Sequence, residues 1–147
     1  VLEGLTADDL ATLAERCLDM GASVVVIKCG HIGTYIHVAD QPEPLGQHLE
    51  EPGAWAGTRF FEPALRVDDV ASATGAGDSA IAGFLAAFLR GEGPERCMAA
   101  LSTVGAQNLS ELGAVEGVRT WSETVKQLER GPETRDVPPR LADLPRR

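Results

Sequence analysis

Positive charge is scarce in this chain. Against 22 acidic residues stand 13 lysines and arginines, a formal net charge of -9 over 147 residues. That balance argues against a general nucleic-acid surface or an anionic-membrane surface, and it leaves room for a local anion pocket. Long apolar runs are missing as well: no stretch approaches the roughly 18 apolar residues of a membrane span. The first residues, Val1-Leu2-Glu3-Gly4, do not read as a signal peptide. Cysteine is sparse and odd in number. Cys17, Cys29 and Cys97 lie far apart and form no zinc or redox spacing. Reduced thiols in a cytoplasmic protein are the expectation. His37 and His48 lack an acidic or cysteine partner at metal spacing, so no metal cage made by the protein is expected. There is no internal repeat and no Gly-x-x-x-x-Gly-Lys-Ser/Thr loop, which sets aside a P-loop enzyme. A dinucleotide-binding dehydrogenase is weakly supported, because Gly75-Ala76-Gly77 lacks a third glycine in register.

What remains is enough for one compact domain, with 44% of the residues hydrophobic. Thr6-Ala7-Asp8-Asp9 reads as a capped helix start, with Thr6 as N-cap and Asp9 reaching back. Leu10, Leu13, Ala14, Cys17 and Leu18 then share one helical face as far as Met20, and Gly21 stops the helix. Ser23-Val24-Val25-Val26-Ile27 is a β-branched run that fits a strand buried on both faces of a parallel sheet. Lys28-Cys29-Gly30-His31-Ile32-Gly33 follows, and on its own it reads equally as a glycine hairpin turn into the strand Thr34–Val38. Residues 39–57 form an irregular Pro/Gly loop in which Trp55 serves packing. Thr58–Glu62 is a strand stopped by Pro63, and Leu65–Val67 continues beyond it towards the Gly-rich turn.

The densest signal is Ala73-Thr74-Gly75-Ala76-Gly77-Asp78-Ser79, a small-residue turn running into an apolar helix over Ser79–Arg90. Glycines there admit close ligand approach, and the first amides of a helix have no intrahelical partner. Such a turn favours an anion, most often a phosphate. Asp78 is the odd member. It reads as an N-cap, as an ordinary polar residue of a Gly-rich turn, or as a general base beside a phosphoryl group that the amides hold. A second helix spans Glu95–Leu109, and a third starts in the Thr120–Glu123 capping box and runs to Arg130.

Thr74-Gly75-Ala76-Gly77-Asp78, with Ile81-Ala82-Gly83-Phe84-Leu85 behind it, resembles the second signature of the ribokinase-like (PfkB) carbohydrate kinases. The resemblance implies an α/β fold, a partial ribokinase-like α/β/α sandwich: the C-terminal part, without the N-terminal half that supplies sugar site and lid. In the family a last strand leads into the signature, and Val70 would end it here. Residues 1–130 would form the ATP-binding and catalytic part. Residues 131–147, with four prolines, mixed charge and few large apolar residues, read from their composition as a disordered or loosely docked tail. The resemblance further implies Asp78 as the base that activates a sugar hydroxyl, with Gly75, Ala76 and Gly77 completing the anion hole. Lys28, Gly30, His31 and Gly33 would line the ATP phosphates and ribose. Ser102, Thr103 and Gly105 fall where relatives shape the adenine pocket, or serve helix packing, and Gly113-Ala114 resembles the turn that closes the nucleotide site.

The implied partners are ATP, Mg²⁺ held largely by the phosphates, and a small sugar-like substrate, with a homo-oligomer as a further expectation. One position departs from the pattern. Many relatives carry an acid six residues before the catalytic Asp, which helps bind a monovalent cation; here that residue is Ser72, with Asp68 and Asp69 out of register. Two other functions stay open: a nucleotide-binding or interaction module without turnover, and a kinase of the same fold acting on a nucleoside or a vitamin alcohol.

Overall fold

The computed structural model describes residues 4–42, 49 and 51–146. His48 and the middle of the Pro/Gly loop lie outside the described residues. Helix α1 (Ala7–Asp19) precedes strand β1 (Val24–Lys28), a 3-10 turn (Gly30–Ile32) and β2 (Gly33–Val38). After the loop come β3 (Arg59–Pro63), then α2 (Ala76–Phe88), α3 (Pro94–Leu109) and α4 (Trp121–Glu129).

The capping boxes read from sequence are both present. Thr6 Oγ1 accepts from the Asp9 amide, and Thr120 Oγ1 accepts from the Glu123 amide, while each acid returns a bond to its N-cap. These devices satisfy helix-end amides locally, and tertiary context has little power to move them.

The sheet has the order β1-β2-β3, and both pairings are antiparallel. The expectation of a parallel sheet around Val24–Ile27 is therefore corrected. A run of β-branched residues fits any strand covered on both faces, and direction is set by the connection. Here the connection is short, Cys29 to Ile32, which only an antiparallel hairpin can use. The strand expected to end at Val70 is also absent: from Leu65 onward only an isolated bridge between Leu65 and Thr134 remains.

The sheet has a core on each face. Val26, Ile36 and Phe60, aligned across the three strands, face α2 and α3, with Trp55, Phe84, Met98 and Leu101 completing that cluster. Ile27, Tyr35 and Phe61 face the other way, towards Leu10 and Ala14 of α1 and towards Leu141 and Leu144. Trp55 is 1% exposed and meets Phe84 and Phe88 edge-on, as a packing residue should. Cys29 and Cys97 are buried free thiols in opposite clusters, and burial, then the Glu92 charge, pushes the Cys97 thiol up to about 12.

The last stretch, expected to be disordered or loosely docked, lies against β3 and the residues after it. The Phe61 amide donates to Pro145 O (2.7 Å), Arg66 N to Glu133 O (2.8 Å) and Arg135 N to Ala64 O (2.8 Å). Its prolines rule out a long helix, yet an extended chain needs few large side chains to anchor it. Leu141 and Leu144 suffice, and the segment covers the outer edge of β3.

Candidate functional site

Gly75 has φ +74° and stands as N-cap of α2 with no side-chain cap. A Cβ at this position would also collide with the Ala114 carbonyl. Both facts restrict position 75 to glycine. Asp78 is therefore the third residue of the helix, and the N-cap reading of its side chain is set aside. Its carboxylate is exposed and makes no hydrogen bond or ion pair among the described residues. The three amides of the turn differ. Ala76 N donates back to Ala73 O over a long 3.3 Å, whereas Gly77 N and Asp78 N have no acceptor among the described residues. Two donors at the positive end of α2 thus lie open beside a free carboxylate.

The β1–β2 connection is a hairpin turn and also a wall of the same site. Lys28, the last residue of β1, donates from Nζ to Gly77 O at 2.7 Å. A Cβ on Gly77 would come within 3.0 Å of that ammonium. Gly30 (φ +56°) shapes the turn, and Gly33 (φ +146°) passes so close to β3 that a Cβ would strike Glu62 O and the Phe61 ring. His31 is exposed at the tip.

A cleft of about 480 Å³ opens between this hairpin, α2 and α3. Lys28, Gly30, His31 and Gly33 line it from the hairpin, Ala76 and Gly77 from α2, and Ser102 and Gly105 from α3. Thr103 is turned away into a separate groove beside Glu62 and Leu65. Gly105 also serves packing, since a Cβ there would meet the Ala80 methyl at 3.1 Å. Val67, Val70, Leu101 and Leu109 make the walls apolar, and Arg135 from the docked C-terminal stretch joins the lining. An apolar slot that ends in an ammonium and open amides fits a heterocycle carrying phosphates.

The sequence profile of the pfkB family carbohydrate kinases matches residues 2–121. The chain belongs to that family. An uncharacterized sugar kinase of Archaeoglobus fulgidus is 32% identical over 117 residues, 80% of this chain and 40% of that protein. The Arabidopsis thaliana ribokinase, solved with ribose and ATP, superposes with a TM-score of 0.68 at 20% identity over 84% of this chain and 35% of its own. The Methanocaldococcus jannaschii nucleoside kinase does so with a TM-score of 0.61 at 20% identity, over 88% of this chain and 45% of its own. These likenesses establish the ribokinase-like α/β fold. The chain spans less than half the length of these relatives, between 35% and 45%.

Within this pfkB-family fold, several site residues escaped the sequence reading. Asn108 is fully buried near the end of α3, and its Nδ2 donates to Thr74 O and to Ala114 O, both at 2.9 Å. Its Oδ1 accepts from Gly117 N at 3.3 Å. Ser79 Oγ adds a longer bond to Ala114 O, 3.4 Å. Ala114 is thus tied directly to the Asp78 turn. Glu116 wraps the same loop by accepting from Val115 N at 3.0 Å, and the backbone bonds from Val115 and from Glu116 itself hold its carboxyl below the usual value. At the position of the missing acid, Ser72 Oγ accepts from Thr74 N at 3.1 Å, and Ala71 N and Ser72 N both donate to Leu109 O. An asparagine in a helical pattern looks like polar filler. Its place against the residue that opens the Gly-rich turn follows only from the packing of α3 on α2.

Proposed function

We propose that the protein transfers a phosphoryl group from ATP to a hydroxyl of a small sugar-like substrate. The observation that supports this reading is the Lys28 ammonium held at 2.7 Å on Gly77 O where Lys28, Ala76 and Gly77 line an apolar cleft, with two open amides at Gly77 and Asp78 and, next in the chain, an exposed Asp78 carboxylate that has no partner among the described residues. Asp78 acts as general base and takes the proton of the hydroxyl as its oxygen attacks. Gly77 N and Asp78 N, with Ala76 N at the edge, hold negative charge as it develops on the group in transfer. Lys28 supplies positive charge beside them, and Gly30, Gly33, His31, Ser102 and Gly105 shape the nucleotide cleft. ATP would supply the phosphoryl group beside Lys28 and the turn amides, and Mg²⁺, when bound with it, would lower the charge of the phosphates. Among the described residues no His/Cys/Asp/Glu cluster could hold a metal by itself, so the ion would take its ligands mainly from phosphates and water. A cytoplasmic setting suits both ATP and free thiols.

Two further readings each have an observation behind them. The likeness to a nucleoside kinase favours a nucleoside hydroxyl as acceptor. The share of relatives that the chain spans favours nucleotide binding without turnover by these residues alone.

Calorimetric titration of ATP with magnesium tests the cleft. Gly77→Leu places a side chain against Lys28 and into the phosphate end, so ATP affinity falls by at least about tenfold, which is 1.4 kcal/mol. Unchanged affinity in that variant would remove the turn from the nucleotide site.

A further inference from the structure

We infer that Asn108 is the positioning residue of the Asp78 turn and that its amide does there what a bound monovalent cation would do. The inference rests on the kinase reading above and adds to it a residue and an ion requirement.

Two main-chain carbonyls, Thr74 O and Ala114 O, converge on one point in the interior. Carbonyl dipoles that converge need a positive partner between them, either an ion or N–H groups. Asn108 Nδ2 provides two hydrogens, and each carbonyl lies 2.9 Å away. The Gly117 amide donates to Oδ1 and so decides which end of the side chain is the amide, since the flipped group would set N–H against N–H and oxygen against both carbonyls. The side chain is 0% exposed and both of its donor hydrogens are used. A cation at this point would have to displace the Asn108 amide, whose two hydrogens already engage both carbonyls. Ser72 is uncharged, and its hydroxyl is already bonded to Thr74 N. An uncharged clamp therefore replaces an ionic one.

The consequence for function follows from where Thr74 sits. It immediately precedes Gly75, whose left-handed backbone turns the chain into the open amides and Asp78. Holding Thr74 O fixes the start of that turn, and Ala114 O, beside Gly75, fixes its other side. Asn108 touches no reacting atom. It acts through the placement of Asp78 and of the amides, so it governs the transition state more than ATP affinity.

The test uses the complete polypeptide that carries these residues, as wild type, Asn108→Ala and Asn108→Asp, in KCl or N-methylglucamine chloride at equal ionic strength. Turnover of the wild type is expected to be the same in both salts. Asn108→Ala loses kcat, on the order of 10²-fold, with the KM for ATP within about threefold. Asn108→Asp sets a carboxylate beside the two carbonyls, so its kcat and its melting temperature are expected to recover in KCl and not in N-methylglucamine chloride. That recovery would also show that the variant folds. A wild type that needs potassium would overturn the inference. So would Asn108→Ala with wild-type kcat, or Asn108→Asp melting identically in both salts. If no variant turns over any hydroxyl substrate, the kinase reading fails, and the melting temperatures alone decide the clamp. Potassium stabilising only Asn108→Asp supports it, and potassium stabilising the wild type overturns it.

Discussion

At the scale of single residues, the site depends on positions where a side chain is excluded as much as on those where one acts. Gly75 shows this most clearly. Its φ of +74° and its contact with the Ala114 carbonyl leave no room for a methyl group. Gly75→Ala is expected to destabilise the fold by about 1–3 kcal/mol through backbone strain alone, with the collision added. The shift in the chemical-denaturation midpoint measures this, and a midpoint within error of the wild type would show that the turn is looser than drawn. Asp78 behaves oppositely. It is an exposed acid with no structural partner among the described residues, so its replacement is expected to leave stability unchanged.

At the scale of elements, the parts fixed by local chemistry were legible from sequence and those fixed by distant contacts were not. Thr6 with Asp9 and Thr120 with Glu123 announced two helix starts because a capping box satisfies its own amides. The Gly-Ala-Gly-Asp turn was legible because its glycines mark a left-handed entry into a helix, although the helix begins at Ala76, three residues before the expected Ser79. Strand direction was legible only in the short glycine-containing connection after Lys28, which the sequence left open as a hairpin turn, because Val24–Lys28 itself carries no mark of the partner it meets. The role of Asn108 was not legible, because its partners Thr74 and Gly117 are brought to it by the α2–α3 contact and by the loop after α3.

That helix contact depends on Gly83, where a Cβ would lie 2.7 Å from Ala100 O and 2.8 Å from the Val104 side chain. Gly83→Leu should therefore cost about 1–3 kcal/mol by overpacking, in spite of the better helix propensity of leucine. A thermal melt reads this directly, and a raised melting temperature would contradict the packing described.

At the scale of the whole molecule, a three-stranded sheet lies between α1 with the docked C-terminal stretch and the α2–α3 pair. The pairings are uneven at its two edges. Residues 131–146 cover β3, while the outer edge of β1 has no partner strand among the described residues. Leu85 and Leu89, one helical turn apart on α2, are 48% and 67% exposed. Open strand edges and paired exposed leucines favour association. Residues 1–147 prepared alone are therefore expected to sediment as dimers or larger species, and a sharply monomeric profile would contradict this.

The most direct measurement of the proposed chemistry is phosphoryl transfer from ATP across a panel of sugars and nucleosides, by the complete polypeptide and by its Asp78→Asn variant. A general base at position 78 predicts turnover on at least one hydroxyl substrate, a fall of about 10²–10⁴-fold in kcat for Asp78→Asn, and ATP affinity and melting temperature unchanged. An Asp78→Asn enzyme that retained its kcat would contradict the role given to this carboxylate, however well ATP fitted the cleft.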